Sequence, residues 1–96
     1  MAYAFKRNDR LFNALANPTR LNILQSLYTN GPLGYSALMK QLNLNIDRSS
    51  GKFAYHLQTL RQAKLVKVDR VTKKYQLTPV GKAVVDFLSN LEKVPP

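Results

Sequence analysis

Tyr55, Gln58 and Gln62 recur at i, i+3 and i+7 of one stretch, and Gly51 stands four positions before the first of them. At about 100° per residue these positions share one side of a helix, while Phe53, Leu57 and Leu60 share the other. The polar side holds no carboxylate and is flanked by Lys52, Ala54 and Thr59. Such a surface suits base edges: a glutamine amide pairs with the N6/N7 edge of adenine, and an apolar atom meets a thymine methyl. Gly51 lets the backbone approach closely. Ser49 is the expected N-cap of this helix, which then runs to Ala63. With Ser50 it offers hydroxyls and free amides to a phosphate at the positive end of the helix dipole. A merely solvent-facing side of an amphipathic helix carries the same pattern, so the surroundings decide.

Those surroundings are cationic. Residues 48 to 82 hold Arg48, Lys52, Arg61, Lys64, Lys67, Arg70, Lys73, Lys74 and Lys82 against Asp69 alone, a net +8 of the chain's +10. With 15 Lys+Arg and 5 Asp+Glu in 96 residues the chain repels itself unless an anion is near, and nucleic acid or an anionic membrane surface is the natural partner. No stretch approaches the roughly 18 consecutive apolar residues of a membrane span, which excludes insertion. Arg70 is expected to enter a minor groove, while Arg48, Lys67, Lys73 and Lys74 contact phosphates without reading sequence.

Other chemistry has little to work with. Asp9, Asp47, Asp69, Asp86 and Glu92 are widely separated, and neither a Gly-rich phosphate loop nor a Ser/His/Asp nucleophile order occurs. An enzyme is not expected. Zero Cys removes disulfides and thiolate metal sites, and fits an intracellular protein. A single His cannot build a metal site alone, so neither metal nor cofactor is expected. His56 falls beside the core positions of its helix; a satisfied, partly buried imidazole is the first reading, a phosphate contact the second. Arg20 either touches a nucleic-acid backbone or pairs with a carboxylate on a neighbouring element. Met1 to Arg7 contain no apolar run of a secretory signal, and the expected location is the cytoplasm, in association with the nucleoid.

The elements that must position these residues are punctuated by Pro and Gly. Leu11, Phe12 and Leu15 mark a short first helix between Asn8 and Ala16. Asn17-Pro18 opens a second helix that carries Leu21, Leu24, Leu27 and Tyr28 inward until Asn30-Gly31 ends it. A third starts after Gly34, with Ala37, Leu38 and Leu42 on one side, and stops in the polar stretch from Asn43 to Arg48. The helix of residues 49–63 follows. Leu65 to Val68 and Lys73 to Leu77 then form a two-stranded hairpin, and without Gly at its tip the turn from Asp69 to Thr72 is expected to be wider than a two-residue type I′ turn. From Pro79 a last helix aligns Val80, Val84, Phe87, Leu88 and Leu91. The order is α-α-α-α-β-β-α, mainly α with a small β-hairpin: a winged helix-turn-helix. One domain over 1–96 is expected, with its core from about residue 9 to 91.

Two phrases narrow the match. Leu15-Ala16-Asn17-Pro18-Thr19-Arg20-Leu21-Asn22-Ile23-Leu24 resembles the opening of ArsR-like transcriptional regulators, and Ser49 through Leu60, ending in His56-Leu57-x-x-Leu60, resembles their recognition helix. Ala63-Lys64-Leu65-Val66 stands in place of the usual A-G-L-V, and Tyr75-x-Leu77-Thr78 resembles the end of the wing. The resemblance spans residues 11 to 88 and looks like the one-domain archaeal and bacterial members. Members that sense metals use cysteines or histidines that this chain lacks.

The resemblance implies a homodimer, and the apolar faces of the first and last helices are in keeping with one: Leu11, Phe12, Leu15, Val84, Phe87, Leu88 and Leu91 are the expected interface, the alternative being that both stripes serve the protomer core. The expected function is a sequence-specific, double-stranded DNA-binding transcriptional regulator, a repressor by resemblance. Its recognition helix 49–63 would lie in the major groove, with the wing, 66–77, on the backbone or minor groove. The alternatives are a sequence-tolerant, chromatin-like DNA-binding protein and a winged-helix module that binds an acidic protein of the transcription machinery. No small-molecule effector can be read from the sequence.

Overall fold

The computed structural model describes residues 8–96. Along the chain run α1 (Asn8–Leu15), α2 (Pro18–Asn30), α3 (Tyr35–Gln41), α4 (Ile46–Gln62), β1 (Val66–Val68), β2 (Tyr75–Leu77) and α5 (Pro79–Glu92). This is the expected winged helix-turn-helix: five helices and an antiparallel two-stranded hairpin, paired Val66 to Leu77, Lys67 to Gln76 and Val68 to Tyr75.

Local chemistry sets most boundaries. The Asn17 side chain accepts from the Arg20 amide at 3.1 Å, Pro18 needs no partner for an amide it lacks, and Gly31, at φ +76°, ends α2 in a conformation that side chains avoid. Thr78 caps α5 by accepting from the Gly81 amide at 3.0 Å. Gly81 has a packing reason: a Cβ there would lie 2.2 Å from the Leu65 carbonyl oxygen, so α5 can settle against the connection between α4 and β1 only without a side chain. α3 and α4 end alike. In each, the amide three residues past the last helical residue reaches back, Leu44 to Met39 and Leu65 to Leu60, both at 3.0 Å, which forces the residue before it into the left-handed region. Asn43, at φ +56°, tolerates this; Lys64, at φ +65°, does so at a cost of about 1 kcal/mol.

The core joins Ile23, Leu24 and Leu27 of α2, Leu38 and Met39 of α3, Phe53, Leu57 and Leu60 of α4, Leu65, Val66 and Leu77 of the hairpin, and Val85 of α5. Leu33 adds a bridge to Tyr75, exchanging amide and carbonyl bonds of 2.8 and 3.0 Å, so the α2–α3 connection is stitched to the base of the hairpin.

Four expectations are corrected. Helix α4 begins at Ile46, three residues before Ser49, because the Asn45 side chain takes the Arg48 amide at 3.3 Å and makes the cap first. The inward face of α2 is rotated: Ile23 is buried where Leu21 was expected, and Leu21 and Tyr28 are exposed. The Tyr28 hydroxyl instead donates to the carboxylate of Asp86 on α5. On α3, Met39 is buried and Ala37 exposed, since the helix presents Leu38 and Met39 to the core. The second strand begins at Tyr75, because Lys73, at φ +62°, belongs to the turn.

Candidate nucleic-acid interface

Helix α4 is held from three sides. The hydroxyl of Tyr35, on α3, donates to the Ser50 carbonyl at 2.7 Å and lies 3.0 Å from the Ser50 hydroxyl, while its ring meets Phe53 edge-on with centroids 5.2 Å apart. Phe53, Leu57 and Leu60 fill the core behind it. Arg20, on α2, is 7% exposed; its Nε and Nη2 donate to the carbonyls of Ala14 and Asn13 at 2.8 and 3.0 Å, and its Nη1 reaches His56 Nδ1 at 3.1 Å. Both readings offered for Arg20 are thereby replaced. Its guanidinium serves two carbonyls in the last turn of α1, where a cation also complements the helix dipole. His56 is the partly buried, satisfied imidazole. Burial first, then the charges of Arg20 and Lys52, push its pKa below the ordinary value.

So fixed, α4 turns Gly51, Lys52, Ala54, Tyr55, Gln58 and Gln62 to solvent, with Thr59 half-buried and donating to the Tyr55 carbonyl at 3.0 Å. Tyr55 is 61% exposed, its ring tilted against that of His56. Nothing lies within 4 Å of where a Gly51 Cβ would be, so that side is open. Ser49 and Ser50 depart from expectation. They are the fourth and fifth residues of α4, past the unpaired amides of a helix start, and Ser50 is engaged by Tyr35. Arg48 is exposed in the first turn.

The hairpin is shaped by Asp69. Its carboxylate accepts the amides of Val71 and Thr72 at 2.7 and 3.0 Å, and these bonds, ahead of the charge of Lys67, hold its pKa below the usual carboxylate value. Asp69 and Lys74 share a 2.9 Å bond across the turn and Lys73 donates to the Asp69 carbonyl at 2.8 Å, so the tip is wider than a two-residue turn, as expected without glycine. Arg70, Lys73, Lys74 and the apolar Val71 are exposed along it, as is Lys67 on β1.

Between the end of α4 and the hairpin lies an open cleft of about 540 Å³. Gln58 and Gln62 form one wall, Lys67 and Arg70 the other, with Arg61 and Lys64 at the junction. Arg61 and Lys64 were counted in the sequence only as part of the charge excess; that they share a cleft with the polar stripe depends on the turn after α4. Among the described residues no group of three or more His, Cys, Asp or Glu could hold a metal ion, and no helix is long and apolar enough to cross a membrane.

The residues expected at a dimer contact divide. Phe12, Phe87 and Leu91 are exposed, at 63%, 62% and 52%, whereas Leu11, Leu15 and Val84 pack partly against the protomer's core and Leu88 is half-buried. Val80 joins the exposed set from the first turn of α5.

Residues 8–88 match the protein family described as "Domain of unknown function (DUF7347)". No curated protein matches the chain. Among solved structures, HlyU from Vibrio cholerae N16961 is 29% identical with a TM-score of 0.75, covering 95% of this chain and 97% of that one. NolR from Sinorhizobium fredii is 26% identical with a TM-score of 0.72, over 90% of this chain and 84% of that one. The homodimeric winged helix-turn-helix DNA-binding domain (fragment 1–100) Mb0332 from Mycobacterium bovis, a possible ArsR-family transcriptional regulator, is 23% identical with a TM-score of 0.72 and shares the fold over 96% of this chain and 87% of that one.

Proposed function

Since the chain belongs to the DUF7347 family and has the ArsR-like winged helix-turn-helix fold, we propose that it is a DNA-binding transcriptional regulator that reads double-stranded DNA as a homodimer and represses by occupying a promoter. The single observation that carries this reading is the outward face of α4. Lys52, Tyr55, Gln58 and Gln62 are exposed there in a row without a carboxylate, beside a cleft lined by four cations. In this reading α4 enters the major groove, where Gln58 and Gln62 pair with base edges and Tyr55 meets a thymine methyl or a sugar. Arg48, Lys52, Lys67, Lys73 and Lys74 contact phosphates, and Arg70 enters the minor groove from the tip of the wing. Ser49 and Ser50 offer no free amides to a phosphate, because both lie past the helix start, and the Ser50 hydroxyl is engaged by Tyr35. No catalytic step belongs to this function, and its place is with the DNA of the cell's interior.

A dimer built on α1 and α5 carries two recognition helices, set to read half-sites about 34 Å apart. The Mycobacterium bovis domain, which shares this fold, is described as homodimeric and DNA-binding, in keeping with a DNA-binding dimer here. The excess of +10, with Gln and Tyr rather than Arg at the reading positions, favours as a second reading a sequence-tolerant protein that coats DNA.

The test is binding to the protein's own upstream region and to random duplexes across a salt titration. A regulator keeps a preference of at least about 1000-fold for one site at physiological salt. A coating protein loses nearly all affinity with salt and shows no such preference. Absence of any duplex binding would refute both.

A further inference from the structure

We infer that Lys64, with Arg61 and Lys67, forms a phosphate clamp between α4 and the wing, seating one phosphate of the DNA backbone at the junction of the two elements; the inference rests on the DNA-binding function proposed above.

Three observations converge on it. The first is placement: the lining of the cleft includes Arg61, Lys64, Lys67 and Arg70 and no carboxylate. Four cations gathered around one open space repel one another in the free protein, and an anion entering that space relieves them together. The only acidic residue between 48 and 82, Asp69, has its carboxylate committed to the amides of Val71 and Thr72 and does not line the cleft.

The second is backbone. Lys64 sits at φ +65°, where side chains are disfavoured and glycine is at ease. Its conformation is fixed independently of its side chain: its amide donates to the Arg61 carbonyl at 3.0 Å, the next amide reaches the Leu60 carbonyl at 3.0 Å, and its own carbonyl accepts from the Thr78 hydroxyl at 2.6 Å. A glycine would be less strained here, so Lys64 carries a backbone cost that a contact made by its side chain to an anion offsets.

The third is position relative to the bases. Gln58 and Gln62, which face the groove in this reading, form a wall of the same cleft. A phosphate gripped there fixes how far α4 slides along the groove, which is what a backbone contact contributes to specific binding.

The experiment measures duplex affinity against salt for the full chain. Removing one phosphate contact lowers the slope of log affinity against log salt by about 0.9 and weakens binding about fivefold at 0.15 M salt. Lys64→Gly and Lys64→Ala are both expected to do this on specific and random duplexes alike, while Lys64→Arg keeps the slope. The thermal midpoint of Lys64→Gly is expected to stay level or rise. Lys93→Gln, the same loss of charge at the other end of α5, is expected to leave the slope unchanged. A slope unaltered by Lys64→Gly, or lowered as much by Lys93→Gln, overturns the clamp while leaving DNA binding in place. A wild-type chain that binds no duplex overturns the parent function instead.

Discussion

Arg20 Nη1 donates to His56 Nδ1 at 3.1 Å, which ties the end of α1 to the inner side of α4 through one guanidinium. Because arginine has only donors, the ring nitrogen must accept, and the imidazole proton therefore sits on Nε2. The same side chain bonds the carbonyls of Asn13 and Ala14, so removing it takes a donor from the Ala14 carbonyl and the ring nitrogen and leaves the Asn13 carbonyl with the Ala16 amide alone. Arg20→Ala is expected to destabilise the fold by about 3 kcal/mol in equilibrium urea unfolding. Arg20→Lys should recover only part of this, because an ammonium cannot reproduce the planar fork. An unchanged unfolding midpoint would show that water serves these groups equally well.

The same contact sets a pH dependence. His56 has its pKa lowered from 6.5 by burial and by the charges of Arg20 on α2 and Lys52 on α4, and Tyr55 adds an uncharged ring beside it. A protonated ring would lose its acceptor nitrogen and face two cations. The unfolded chain therefore binds a proton more readily than the folded one, and stability falls with acidity. The stabilisation is complete above the unfolded value near 6.5 and is lost as the pH drops from there to the depressed folded value. Thermal midpoints measured from pH 8 to 5 should fall for the wild type more than for His56→Gln. Parallel curves would mean that the ring titrates as a free histidine.

How far the sequence foretold this arrangement varies by residue. Phe53, Leu57 and Leu60 were legible because three apolar residues at helical spacing with polar neighbours define one phase. Asn17-Pro18 and Asn30-Gly31 were legible because cap chemistry is local. The start of α4 was not, since Asn45, Asp47 and Ser49 are all cap formers and only tertiary placement chooses the first. Arg20 was misread because the carbonyls that hold it come within its reach only once α1 and α2 pack. The cleft of Lys64 is likewise a product of the turn after α4, which brings the cations of the hairpin beside the polar face of the helix.

Gln58 is exposed at the middle of the outward face of α4. An amide that pairs with one base edge contributes discrimination without contributing much to affinity for DNA in general. Gln58→Ala is expected to weaken binding to the preferred site by about 1 to 3 kcal/mol and to leave random duplex binding nearly unchanged. Fluorescence anisotropy with both duplexes measures this. Equal losses on the two would remove Gln58 from base reading.

The wing is shaped by a carboxylate that accepts two amides of its own turn. Those bonds favour the charged form of Asp69, so the tip is at its firmest above the ordinary carboxylate range and loosens as acid protonates the group at its depressed pKa. Asp69→Ala should speed amide exchange at Val71 and Thr72 and weaken DNA binding even though it makes the chain more cationic. Asp69→Asn keeps an accepting oxygen and should retain the slow exchange. Tighter binding by Asp69→Ala, as charge alone predicts, would show that the shape of the tip is irrelevant.

Phe87 and Leu91 on α5 and Phe12 on α1 expose most of their surface in the protomer, while Leu11, Leu15 and Val84 of the same stripes pack inward. Each helix therefore has its outermost apolar residues left over once the core is filled, and in the proposed dimer a second copy covers them. Burying one such ring is worth about 1.5 to 3 kcal/mol, so replacing it with a charge weakens a symmetric contact twice over. Phe87→Glu is expected to shift sedimentation from dimer to monomer at micromolar concentration with little loss of helix signal. On a palindromic duplex it should bind each half-site independently, losing the gain that linkage gives. Leu15→Glu, by contrast, should unfold the protomer before it separates the dimer. If Phe87→Glu sediments as the wild type does, α5 is not the contact, and the spacing of the two recognition helices must be set by another face.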